Sequence, residues 1–177
     1  ALKTFGFNLL SLANNHSFDM KVPGIVNTLE QAKRLNLGYA GIGMGISEAV
    51  APGYLRTDKG TVALIAMASG LVEAGGSATE SRPGVNELRV EGNKPNAEDA
   101  ARILASIREA RTRADLVIVY EHNHVFPHPF QTIMFEELPE RLVPPDWLKQ
   151  WTHDEIDAGA DIVVMHGAPL LHGIGPL

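Results

Sequence analysis

The sequence predicts a single α/β layered domain, with helices packed on a mainly parallel or mixed sheet. Three observations lead there. Short uncharged, β-branched runs alternate with amphipathic stretches, in the order strand, helix, hairpin, helix, strand, helix, strand. The 177 residues are enough for one domain with a substantial core. Three of the strands run into Asn or His at their carboxyl ends, where open α/β sheets hold ligands.

The elements follow in order. Residues 1–6 read as the tail of a helix stopped by Gly6, and 7–12 (FNLLSL) as a short buried strand. That strand ends in Ala13-Asn14-Asn15-His16-Ser17-Phe18-Asp19, a turn that Asp19 can cap. Over 24–35, Ile25, Val26, Leu29, Ala32 and Leu35 form one stripe of an amphipathic helix. A brief strand over 37–40 follows. The glycines at 41, 43 and 45 imitate a dinucleotide fingerprint, but the third glycine is at the wrong offset and Pro52 ends the next helical turn too early. They predict a tight loop, with a helical turn over 47–49.

Residues 54–56 and 61–66 form a predicted hairpin turned through Asp58-Lys59-Gly60, and 62–66 is apolar enough for a central strand. The stretch 69–96 is rich in Gly, Ser, Asn and Pro; an irregular segment of that length is usually functional, and its Arg82 could meet an anion. Asn96 caps the clearest helix, whose buried stripe is Ala100, Ile103, Leu104, Ile107 and Ala110. Residues 116–120 (LVIVY) have the pattern of a strand buried on both faces. It runs straight into Glu121, His122, Asn123 and His124, with His128 close behind. A second irregular segment covers 127–143. A helix over 147–158 is closed by Gly159, and a strand over 161–165 delivers His166, with His172 beyond it.

Composition excludes several classes. With no cysteine there is no disulfide, thiolate ligand or cysteine nucleophile. A net charge of -6 gives no basic footprint, so no nucleic-acid partner is expected. No apolar run reaches the roughly 18 residues of a membrane span. Neither a Gly-x-Ser-x-Gly elbow nor a phosphate-binding lysine loop is present.

What remains is metal chemistry. Six of the seven histidines lie between 122 and 172. Asn15 with His16, His122 with His124, and His166 with His172 stand at three strand ends, and adjacent strands are only about 4.8 Å apart. Zn, Mn or Fe accepts imidazole nitrogen together with amide and carboxylate oxygen. Metal-assisted hydrolysis, with water activated by a divalent ion, is the natural chemistry for such a set. Each histidine taken singly is more often a hydrogen-bonded structural group.

These residues resemble a known family. Leu12-Ala13-Asn14-Asn15-His16-Ser17-Phe18-Asp19, Gly24 and Thr28-Leu29 resemble the start of the CapA family of poly-γ-glutamate capsule-synthesis proteins. The strand over 60–66 and the run IDAGADIVV over 156–164, followed by His166-Gly167 and Gly173-Ile174, resemble its later signatures. The resemblance implies a layered α/β/α sandwich of the calcineurin-like metallophosphoesterase type, with metal held at the strand ends. It implies Asn15, His122 and His166 as metal ligands and His16 as the group that protonates the leaving oxygen.

The sequence departs from the family pattern at Pro169, where the last signature has a histidine. His172 is then expected as a replacement ligand, with His124 acting in catalysis and Glu121 as a further ligand. The family's Gly-Asp strand would precede Ala1 and its Gly-Asn-Phe segment would follow Leu177. The expectation is therefore one CapA-like domain over 1–177, incomplete at both ends. It would act at the cell envelope on poly-γ-glutamate or a small ester or amide, beside membrane partners of capsule assembly. The rival expectations are a non-catalytic polymer-binding or scaffold subunit and a metal-free sugar or nucleotide enzyme.

Overall fold

The computed structural model describes residues 2–126, 128–135 and 143–167. After a 3-10 turn (Lys3–Phe5) come β1 (Leu9–Ser11), α1 (Lys21–Arg34), β2 (Gly38–Ala40), β3 (Ile42–Gly43), α2 (Ile46–Val50), β4 (Gly53–Thr57) and β5 (Gly60–Ser69). They are followed by β6 (Gly84–Val85), β7 (Val90–Glu91), β8 (Lys94–Pro95), α3 (Ala97–Arg111), β9 (Leu116–Asn123), α4 (Phe130–Phe135), α5 (Asp146–Ala158) and β10 (Ile162–His166). The molecule is a mixed α/β fold built on several sheets.

The main sheet has the order β10-β9-β5-β4. β5, β9 and β10 are parallel, and β4 returns antiparallel from the hairpin. The mixed sheet expected from the sequence is therefore present. Thr57 closes the hairpin turn: its Oγ1 donates to Gly60 O at 2.9 Å and accepts from Lys59 N at 3.1 Å.

β5 is central because both of its faces are apolar. Ala63, Ile65 and Met67 enter one core with Ile103 and Ile107 of α3 and Trp151 of α5. Leu64, Ala66 and Ala68 enter a second core with Ile25 and Leu29 of α1 and Ile42 of β3. Burying this much side chain on both faces removes apolar surface at about 25 cal/mol per Å², so β5 fixes the positions of its neighbours.

Three differences from the sequence reading matter. β1 is shorter than expected, with Asn8 just before it turned back to donate from Nδ2 to Gly6 O at 2.9 Å, and it pairs with β2 in a separate two-stranded parallel sheet. β9 is not buried on both faces. Val117, Val119, Glu121 and Asn123 are buried, while Ile118, Tyr120 and His122 on the other face are half-buried. The β1–β2 pair packs on β5 and leaves that face of β9 partly open. Finally, β9 continues to Asn123 rather than ending at Tyr120.

The long segment after β5 is irregular but anchored. Asn86 is buried and its Nδ2 donates to Ala66 O at 2.9 Å, while Leu88 is buried in the α3 core. Asn96 caps α3 as the sequence indicated, accepting from Glu98 N and Asp99 N at 3.1 and 3.2 Å.

Candidate metal centre

Two strand ends and one turn meet on the half-open face of the main sheet. The turn after β1 is held by its own polar groups. Ser17 Oγ donates to Leu12 O at 2.6 Å and accepts from Asn14 N at 3.0 Å, and Asn14 Oδ1 accepts from His16 N at 2.9 Å. This projects the Asn15 amide toward β9, where its Oδ1 lies 2.9 Å from His122 Nε2.

The β9–β10 register sets His166 directly beside His122, and Ala68 of β5 flanks His122 on the other side with a small side chain. His122 Nδ1 is 3.3 Å from His166 Nδ1. His124 shares the face of His122 and places its Nε2 3.1 Å from His122 Nε2. The His122 ring centroid is 4.9 Å from that of His124 and 5.3 Å from that of His166. Gly167 lets the chain leave this cluster: it sits at φ +116°, and a Cβ there would stand 2.6 Å from Asn123 O. Gly70, at φ +70°, similarly allows the backbone of His124 to approach, since a Cβ would meet its carbonyl carbon at 2.7 Å.

Burial, and then the neighbouring imidazoles, push the His122 pKa down to about 4. Burial followed by His16 and His166 lowers that of His124. Both rings are therefore neutral near pH 7, the form that offers a lone pair to a metal. His16 is exposed and its Nδ1 lies 3.0 Å from Asp19 Oδ2, which orients the ring.

The proton accounting at His122 does not close by hydrogen bonding alone. Its Nε2 carries at most one proton yet faces both Asn15 Oδ1 and His124 Nε2. It therefore makes one well-aligned hydrogen bond, as donor or as acceptor, and leaves the second neighbour without one of its own. His124 Nδ1 is also buried without a partner. A cation among the three atoms would take a lone pair from each of them, while His124 Nδ1 would remain a buried donor. The donor set of amide oxygen and imidazole nitrogen thus fits a Zn, Mn or Fe ion. Among the described residues, no group of three or more His, Cys, Asp or Glu side chains is arranged to hold a metal ion; what converges is one amide with imidazoles.

Glu121 is not in this cluster. Strand alternation sends it to the opposite face from His122, where it is fully buried. Trp151 Nε1 donates to its Oε2 at 2.9 Å, and Ser69 Oγ lies 2.6 Å from its Oε1. Burial raises its pKa to about 7 against the lowering effect of those two bonds. Glu155 of α5 is also fully buried, and neither of its carboxyl oxygens has a hydrogen-bond partner. Burial and the nearby Glu121 hold its pKa well above the carboxylate range. Sequence reasoning passed over this carboxyl pair, although Glu155 falls four residues after Trp151, on the buried stripe of α5. His172 and Pro169 lie outside the described residues.

Comparison with known proteins decides the family. Residues 1–175 match the model of the bacterial capsule synthesis protein PGA_cap family. The chain belongs to that family. Its relatives include the PGA biosynthesis protein CapA of Bacillus subtilis, 29% identical across 98% of this chain and 40% of the relative. The capsule biosynthesis protein CapA of Bacillus anthracis is 28% identical across 94% of this chain and 36% of the relative. The uncharacterized protein y4sH of Sinorhizobium fredii is 29% identical across 98% and 47%. The chain thus spans less than half the length of these relatives. Among its described residues no helix is long and apolar enough to cross a membrane.

Proposed function

We propose that this chain carries a metal-dependent hydrolase domain of the CapA type, with the layered metallophosphoesterase-like sandwich its resemblance implies. It acts in capsule or poly-γ-glutamate metabolism on a phosphoester or γ-glutamyl amide. The observation that carries this reading is the convergence on His122 Nε2 of Asn15 Oδ1, at 2.9 Å, and His124 Nε2, at 3.1 Å. Asn15, His122 and His124 would hold the ion, with His166 completing the wall of the site and His172 the further expected ligand. A divalent ion there polarises the substrate oxygen and lowers the pKa of water.

The chain's own residues supply the rest. Asn15 and His122 orient the scissile group between β1 and β9. His16, steered by Asp19, gives a proton to the leaving oxygen as the general acid. The half-open face of β9 admits the substrate. Envelope localisation and membrane partners of capsule assembly follow from the family and belong to the same proposal.

The test is hydrolysis by the full protein, loaded with Mn, Zn or Fe, of an aryl phosphoester and of a γ-glutamyl anilide. Activity on one of them, lost in both His122→Ala and His16→Ala, supports the reading. Activity unchanged in both variants overturns it.

A second reading has an observation in its favour. The donor set among the described residues lacks any carboxylate, and the chain covers less than half of its relatives. A non-catalytic subunit that binds the polymer or scaffolds its assembly fits both. Polymer binding that survives His122→Ala, in a protein without hydrolytic activity, would favour it.

A further inference from the structure

The imidazoles stand on one face of β9, and the groups that tie down the end of that strand stand on the other. We propose that Ser69 and Asn123 are positioning residues of the candidate metal centre. Their buried side-chain contact, on the far face of the sheet, fixes the backbone that sets the His124 ring against His122. The purpose of this contact rests on the metal reading of the site; the ring geometry it controls does not.

His124 lies one residue beyond β9. A metal-binding histidine ordinarily donates its second ring nitrogen to an acceptor, and that bond fixes the ring. His124 has no such bond, since its Nδ1 is buried without a partner. Its ring meets His122 and, edge-on at 5.8 Å between centroids, Phe126. Its orientation therefore comes from the backbone that carries it. That backbone is tied on both sides of the ring. His124 N donates to Ser69 O at 2.7 Å, and the next amide, Val125 N, donates to Asn123 Oδ1 at 2.8 Å. The second bond is the side-chain turn by which Asn shapes the two residues after it.

Ser69 and Asn123 are register partners at the ends of β5 and β9, and both are buried. The Ser69 hydroxyl lies between Asn123 Oδ1 at 3.0 Å and Glu121 Oε1 at 2.6 Å. Glu121 is in turn anchored to α5, through the bond that Trp151 Nε1 donates to its Oε2 at 2.9 Å. A polar chain thus runs from α5 through Glu121 and Ser69 to Asn123 and the Val125 amide. Strand alternation puts Glu121 and Asn123 behind the sheet and His122 in front of it. Stability alone does not call for such a chain, because apolar groups of the same shape can replace a buried hydrogen-bonded pair at little cost. What apolar groups cannot do is hold the Val125 amide and so set the turn that aims His124.

The variants are Ser69→Ala and Asn123→Ala in the full protein, which cut the contact from its two sides. In the metal-free protein, nuclear Overhauser contacts between the ring protons of His122 and His124 report the ring pair directly. In a second measurement, competition with a chelating dye reports the affinity for Zn. The wild type is expected to show the ring contact and each folded variant to lose it. Zn affinity should fall about 10–100-fold, the usual cost of removing an outer partner of a ligand. A lower melting temperature with the ring contact kept would mark a merely structural role and overturn the proposal. Unchanged Zn affinity in both folded variants would overturn it as well. If the wild type takes up no Zn, it is the metal reading that fails, and the ring contact alone decides the positioning. Should Ser69→Ala unfold the chain, Asn123→Ala decides.

Discussion

At the scale of single residues, position within a strand decides chemistry. Glu121 and His122 are neighbours in sequence, and reading both as ligands assumed a loop after Tyr120. Because β9 runs on to Asn123, the two side chains leave opposite faces, and His124 rather than Glu121 joins His122. The alternation Glu-His-Asn-His was legible at period two; what hid its meaning was the point at which the strand stops. Gly167 offers a direct check. Its positive φ and the 2.6 Å approach of a Cβ to Asn123 O predict that Gly167→Ala loses about 1–3 kcal/mol, from the strained backbone and the clash. Urea denaturation measures it, and an unchanged midpoint would show that the β10 exit is not under this constraint.

Asp99 gives a second residue-scale prediction. Burial works to raise its pKa, but the bonds from Arg89 and Arg102 outweigh it and hold the carboxyl below its ordinary value of 3.8. A depressed carboxylate contributes stability above the unfolded pKa and loses it as pH falls through the folded one. The urea midpoint should therefore drop in acid below about pH 4, and Asp99→Asn should remove part of that drop. At pH 7, Asp99→Ala should cost roughly 2–3 kcal/mol, toward the low end for a broken buried pair because Arg89 can turn to solvent.

At the scale of elements, the interface of α5 with β9 contains the most unusual contact of the molecule. Two fully buried carboxyls share it with Trp151 and Ser69. Helix periodicity places Glu155 on the apolar stripe, so its burial was legible. Its neighbour on β9 was not, because nothing in one sequence pairs α5 with a particular strand face. The Glu121 pKa is raised from 4.5 to about 7. A raised carboxyl contributes stability that is whole below the unfolded pKa and is lost as pH rises through the folded one. Stability should thus fall between about pH 5 and 8, and Glu121→Gln should flatten that slope. A denaturation midpoint independent of pH across this window would contradict the account. Asn96, by contrast, was fully readable as a cap, and Asn96→Ala should cost about 1 kcal/mol, seen as a lower melting temperature.

At the scale of the whole molecule, the order of strands and helices was legible because β5 is apolar on both faces and α3 and α5 carry clear stripes. The separate β1–β2 pair was not, since a three-residue strand gives no period to read. That pair matters for function: it carries the Asn15 turn to β9. Net charge makes a further prediction. With -6 overall, the chain repels a polyanion such as poly-γ-glutamate at low salt. If the polymer binds as proposed, its binding should strengthen as ionic strength rises toward about 0.15 M, where the screening length is about 8 Å. Weakening over that range would reveal a local cationic track that dominates the overall charge.

The central claim is that Asn15, His122 and His124 form a metal centre. The most direct test is metal content, by inductively coupled plasma mass spectrometry, of the full protein after incubation with Mn, Zn and Fe and removal of excess ion. We expect stoichiometric retention of at least one of these metals, abolished in His122→Ala while the fold, followed by circular dichroism, persists. No retained metal, or the same retention in folded His122→Ala, would contradict it.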